Sequence, residues 1–289
     1  MPFELFVALK YLKAKRRTGF ISLITYISVG GVVIGVAALI CVLAIMNGFK
    51  TIVRTKIIGA DSHVRVSQFS MTPFDKYKEV QEIAKAVDHV LGASPFILEK
   101  GLIRHSKTNE GVVIRGTDIE TISEISDLKK NIIWGEMTFD NVPPPEGKKG
   151  TALPGVILGE SLADRLGAHD IGDKITLFVP TFDDGDFMSQ PRAKQFRVSG
   201  IFATGLYEYD NVFAYISLTD AQKLFKMEDK VHGVDIKVEN LDTVNEVDLE
   251  INDSLGYPFR VRTWYDNHRN LFAWMEIEEM GMFAILSLI

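Results

Sequence analysis

The sequence predicts an α+β fold, with an exported domain of two mixed α/β subdomains held between two transmembrane helices, the second of them incomplete. Three observations carry this reading. An apolar run extends from Phe20 to Phe49, an acidic body of alternating short strand and helix patterns follows it, and a second apolar run begins at Met280.

The first run holds no ionisable side chain besides Tyr26 and Cys41. At about 1.5 Å per residue it crosses a hydrocarbon core of roughly 30 Å with length to spare. Its 15 Phe, Ile, Leu and Val side chains between Phe20 and Met46 outweigh Thr25, Ser28, Gly30 and Gly31 in transfer free energy. A cleaved signal has an apolar core of only about 7–15 residues with small residues at its cleavage site, and AIMNGFK supplies neither. Residues 20–49 therefore read as a permanent membrane helix. Residues 1–19 read as a basic cytoplasmic segment: Lys10, Lys13, Lys15, Arg16 and Arg17 oppose only Glu4, which places Met1 inside and Lys50 outside. Residues 3–17 form either an amphipathic helix on the inner membrane surface or the cytoplasmic start of the spanning helix. Gly31 and Gly35, four apart, give the span a small face on which another membrane helix can pack.

The five basic residues against Glu4 give the first 19 residues a net charge of +4, so the remainder of a chain of net charge −6 carries −10. That acidic body argues against a nucleic-acid partner. With Cys41 as the only cysteine, the exported domain is held without disulfides.

The exported domain spans residues 50–265. In it, 62–69 alternates as a strand, 74–87 has helical spacing, and 96–118 reads as a hairpin turning at Thr108 and Asn109. The Pro-rich stretch from Asn141 to Gly150 marks a border. Beyond it come a strand, a short helix and a strand, two further strands, and a helix at TDAQKLF with Thr219 as its expected N-cap. From Val231 a strand, a helix near Val244 to Leu255 and a strand repeat the opening order. The first subdomain is thus 50–140 with 230–265, and 141–229 is an inserted second one. Residues 266–289 read as a helix leading into a second membrane helix. Its apolar part from Met280 covers about 15 Å, half a hydrocarbon core, so the expectation is that this span is incomplete.

No chemistry-bearing motif stands out. The six histidines lack zinc-type spacing, and no phosphate-cradling GxxxxGK[ST] or nucleophile elbow GxSxG occurs, so no catalytic, cofactor-binding or metal-ligating residue is nominated. Asp183–Asp186 lacks a calcium-loop pattern and reads as a solvated tip. The informative feature is the stretch 178–196, where the connection between two strands far exceeds the usual hairpin loop of roughly 2–5 residues. Pro180 and Pro191 bound it, and Phe182, Phe187 and Met188 place apolar area on its polar tip. Docking and an ordinary surface excursion are both open readings of that pattern.

The opening FELFVALKYLKAKRRTGFISLITYISVGGVVIGVAALICVLAIMNGF, the stretch VILGESLADRLGAHDIGDKITL and the late FAYISLTDAQKLF resemble the LolC/LolE permeases of the lipoprotein-releasing ABC transporter, within the MacB/FtsX superfamily. The resemblance covers essentially the whole chain. It implies a non-catalytic permease in the bacterial inner membrane, with the large domain periplasmic between the first two of four membrane helices. The implied partners are membrane lipid, lipoprotein substrates, a second permease subunit (homologous or identical), a cytoplasmic ABC ATPase and a soluble periplasmic lipoprotein chaperone. The resemblance also assigns sites. Pro180, Phe182, Phe187, Met188, Pro191 and Lys194 belong to a chaperone-catching hairpin, in which Lys194 stands where the family pattern has arginine. Met46, Phe49, Met275, Met280 and Phe283 fall where acyl chains enter, and helix packing is the other reading of those five. The subunit type, C, E or combined, stays open. Rival readings are another MacB/FtsX-type permease for efflux or for cell-wall hydrolase regulation, a two-helix transmembrane sensor, and a tethered hydrolase.

Overall fold

The computed structural model describes residues 3–4, 6–7, 10, 19–60, 62–180, 191–267 and 269–287. The chain forms two compact units, Met1–Ile52 with Trp274–Ile289, and Val53–Ala273. In chain order the helices are α1 (Gly19–Ala60), α2 (Tyr77–Ala86), α3 (Ile119–Ile125), α4 (Glu160–Leu166), α5 (Tyr207–Asp210), α6 (Leu218–Phe225), α7 (Val244–Leu255), α8 (Trp264–Asn267) and α9 (Arg269–Ser287). The strands are β1 (Val64–Gln68), β2 (Val90–His105), β3 (Thr108–Thr117), β4 (Ile132–Gly135), β5 (Asn141–Val142), β6 (Leu153–Gly159), β7 (Lys174–Val179), β8 (Arg192–Phe202), β9 (Phe213–Ser217), β10 (Gly233–Val238) and β11 (Phe259–Thr263).

α1 is one helix of 42 residues, about 63 Å long, with its residues up to Ile52 in the first unit. Among the described residues its segment Leu23–Gly48 is the one helix long and apolar enough to cross a membrane. The consecutive Val32, Val33 and Ile34 are 66, 60 and 71% exposed. Neighbours in a helix point about 100° apart, so apolar surface is bare around most of the circumference, and lipid is the solvent that suits it. The helix runs on past residue 49 because nothing up to Ala60 breaks it, and Thr51 Oγ1 donates to the Asn47 carbonyl within it. An added Cβ at Gly31 would meet no neighbouring atom within 4 Å, so that small face is open.

In the second unit the strands join one eleven-stranded sheet in the order β11-β1-β10-β2-β3-β9-β6-β8-β4, with β5 beside β6 and β7 bridging β2 and β8. Strands from 64–117 and 233–263 make one half of it and strands from 132–217 the other. Alternation sets the faces: Val64, Val66, Val234 and Ile236 point into the core that Val80 and Ala84 of α2 and Val247 and Ile251 of α7 complete. α6 lies on β3 because Gly116 is glycine; a Cβ there would collide with Ala221. A smaller cluster of Leu128, Ile157, Phe202 and Tyr215 forms a second core.

Two local expectations are corrected. The β2–β3 hairpin turns at Ser106 and Lys107, two residues before Thr108 and Asn109, with Ser106 at φ 52°. Asn109 is a ladder residue opposite Arg104, whose Nε donates to Asn109 Oδ1 at 2.6 Å, so its side chain closes a cross-strand contact rather than a turn. The N-cap of α6 is Ser217, not Thr219: the Ser217 hydroxyl accepts from the Asp220 N–H, and the helix already begins at Leu218.

Candidate functional site: the neck of the long hairpin

β7 and β8 pair antiparallel from Lys174↔Arg197 to Val179↔Arg192. Ile175, Leu177 and Val179 alternate into the core, and Phe196 and Val198 do so from β8, which fixes the register. The next positions outward in that register are Pro180 and Pro191, both exposed. Neither has an N–H to donate, so the ladder stops at Val179 and Arg192 for a chemical reason. Phe182, Phe187, Met188 and the acidic tip lie outside the described residues.

β7 is also held from its other side, where Leu102 to His105 of β2 pair with Phe178 to Ile175. This approach requires glycine at 101, since a Cβ would sit 2.6 Å from the Phe178 carbonyl oxygen. The result is a mostly apolar groove of about 570 Å³ at the neck, lined among others by Gly101, Leu102, Phe178, Pro180 and Pro191. Leu102 is 55% exposed there, and the Arg104 guanidinium lies 4.6 Å above the Phe178 ring. Lys194 is held within the domain: its ammonium pairs with Asp220 in the first turn of α6 and lies 5.6 Å from the Phe196 ring centroid. The neck is a braced platform with an apolar seat.

The five residues assigned to acyl entry all belong to the first unit. Met46 is half-buried, Met275 is buried, and Met280 and Phe283 are 69 and 53% exposed. Phe49 is on α1, and its side chain lies outside the described residues. α9 also exposes Trp274 and Ile277 around Glu278.

Sequence reasoning missed a buried ionic cluster in the second unit. Asp235 is fully buried; its carboxylate accepts from Arg65 Nε at 2.6 Å, from Ser62 Oγ at 2.7 Å and from Arg115. The signal was three charges set between valines and isoleucines, in VRV, VIRG and VDI, on strands that alternation alone reads as having one solvated face. Nearby, His232 Nδ1 accepts from the Leu98 N–H at 3.1 Å, and its Nε2 lies 3.4 Å from Glu99. Burial holds the His232 pKa below the ordinary histidine value, outweighing the opposite pull of Glu99. An unfolded histidine takes its proton near 6.5. The stability due to neutral His232 is therefore complete above that pH and is lost as pH falls through it toward the folded value. Melting temperature measured from pH 7.5 to 5.5 is expected to fall less steeply in His232→Asn, whose amide oxygen can replace Nδ1 as acceptor.

Among the described residues, no three His, Cys, Asp or Glu side chains converge as metal ligands. The family model for the MacB-like periplasmic core domain matches residues 25–254. The lipoprotein-releasing system transmembrane protein LolC of Xylella fastidiosa (strain Temecula1) is 31% identical over 288 residues, covering 100% of this chain and 67% of that protein. The chain belongs to the LolC/LolE-type permeases of the MacB/FtsX superfamily. LolC of Neisseria meningitidis serogroup B is likewise 31% identical, over 99% of this chain and 66% of its own length, and LolE of Haemophilus influenzae is 21% identical over 98% and 66%. The chain thus spans about two thirds of these permeases. The periplasmic region of MacB from Actinobacillus actinomycetemcomitans aligns over 74% of this chain and 94% of its own, at 11% identity and a TM-score of 0.44.

Proposed function

We propose that the chain is the membrane-anchored, periplasmic part of a lipoprotein-releasing ABC permease, and that its long hairpin hands released lipoproteins to a soluble periplasmic chaperone. The observation that carries the reading is identity of 31% with LolC sequences along essentially the whole chain. The neck adds a physical reason: two non-donating prolines end the ladder above a braced, partly apolar seat, as a docking arm requires. On this reading Met1 is cytoplasmic, residues 20–49 span the inner membrane, and α9 leads into the second span. The subunit is non-catalytic, and ATP hydrolysis belongs to a separate cytoplasmic ATPase that drives it together with a second permease subunit. Acyl chains enter near Met46, Phe49, Met275, Met280 and Phe283, where adaptable Met and Phe side chains suit an irregular apolar guest.

The test is photocrosslinking from positions 182 and 187 in the full-length protein in intact cells. Labelling of a soluble periplasmic lipoprotein carrier is the expected result, and labelling of none overturns the docking role. A permease serving efflux or cell-wall hydrolases predicts instead that lipoprotein sorting survives depletion of this protein.

A further inference from the structure

On the sheet face opposite Val64 and Val66, the register of β11, β1 and β10 sets Arg262, Arg65 and Asp235 directly side by side. Asp235 already serves two guanidinium groups, Arg65 and Arg115. Among the described residues Arg262 has no such carboxylate, and its Nε is buried without a hydrogen-bond partner. Like charges directly opposite on paired strands destabilise the sheet, and a buried guanidinium N–H left without an acceptor adds to that cost. Something that accepts from both arginines removes both costs at once.

The space for it is present. A cleft of about 250 Å³ opens between Arg65, Ser67, Phe96, Glu99, His232 and Arg262. A water takes up about 30 Å³ in the liquid, so the cleft holds a phosphate or a short dicarboxylate and is too small for a nucleotide. Its charge is also distinctive in an acidic body. Arg65 and Arg262 line it against Glu99, which lies beside His232, and Asp235 is shared by Arg65 and Arg115, so three guanidinium groups meet two carboxylates and a positive excess remains. Because His232 Nδ1 accepts from the Leu98 N–H, the neutral ring carries its proton on Nε2, which makes the ring a donor at the rim.

We propose that this cleft binds a small oxyanion, carboxylate or phosphate, held between Arg262 and Arg65 with the Ser67 hydroxyl as a further donor. Arg65 already gives its Nε and one terminal nitrogen to Asp235, so it is the planar Arg262 fork that matches the paired oxygens of such a group, which a chloride ion lacks. This site is separate from the hairpin and does not depend on the proposed handover.

The experiment is isothermal titration of the full chain, in a nonionic detergent at constant ionic strength, with inorganic phosphate and with succinate against a chloride control. Saturable heat from at least one of the two is expected, and which one identifies the class of oxyanion. In Arg262→Gln the affinity falls about tenfold or more. Without ligand, that variant keeps or exceeds the parent melting temperature because the like-charge contact is gone. Neither anion binding above chloride, or Arg262→Gln binding as the parent does, overturns the site. Arg262→Lys covers the case in which the glutamine variant fails to fold: weaker binding supports the site, and parental binding overturns it.

Discussion

Asp235→Ala is expected to destabilise the second unit, Val53–Ala273, by about 3–5 kcal/mol, because the substitution leaves two guanidinium groups facing each other with their shared acceptor gone. Asp235 is fully buried, and the Arg65 and Arg115 side chains that it holds are 19 and 5% exposed, so water cannot replace the carboxylate at Arg115. Both guanidinium groups also lie over the Phe96 ring, at 4.6 and 5.7 Å, which fixes them in place and limits their escape. For a domain of this size the loss corresponds to a fall in melting temperature of roughly 6–20 °C. Asp235→Asn is expected to recover only part of it, since the amide keeps one acceptor but turns a donor toward a cation. The control is Lys85→Ala at the ion pair with Glu124, where both side chains are nearly half exposed. That change is expected to cost less than about 1 kcal/mol. Equal effects at the two sites, in urea unfolding followed by tryptophan fluorescence, would mean that the buried cluster has no special weight.

The difference between these two ion pairs also marks what a sequence can disclose. The helix α7 near Val244–Leu255 was legible, because Val244, Val247 and Ile251 recur at the spacing that puts them on one buried face. The apolar run of α1 was legible for another local reason, its length and unbroken apolar composition. Turn position and capping were only partly so. Thr108 and Asn109 have the composition of a turn, and Thr219 that of a cap. In each case a neighbour took the role: Ser106 entered the left-handed region and Ser217 lay one residue before the helix. The parallel pairing of β3 with β9 joins residues about a hundred positions apart, and local periodicity holds no trace of it. The same is true of Arg65, Arg115 and Asp235, whose meeting depends on strand order. At the hairpin, Pro180 and Pro191 could be named in advance because they sit near the ends of a long connection, where proline limits backbone freedom. That they are register mates at the neck followed only once β7 and β8 had been aligned.

That alignment makes a sharper test of the docking arm than any point substitution. Replacing residues 180–191 by Asn-Gly joins Val179 to Arg192, the last pair of the ladder, through a two-residue turn whose twist suits an antiparallel hairpin. The fold is expected to be kept. The core positions of β7 and β8 are untouched, both prolines removed are exposed, and shortening the loop lowers closure entropy by about 1–2 kcal/mol. Melting temperature should therefore match or exceed that of the parent, and a marked fall would mean that the neck needs its prolines for packing. If the tip is the docking element, the assembled full-length transporter should hydrolyse ATP at the parental rate yet deliver lipoprotein to the soluble chaperone at least about tenfold more slowly. A contact of only about 1.4 kcal/mol at the tip suffices for that factor. Delivery at the parental rate, with the fold intact, would remove the hairpin from the mechanism while leaving the membership of the chain in its family unaffected.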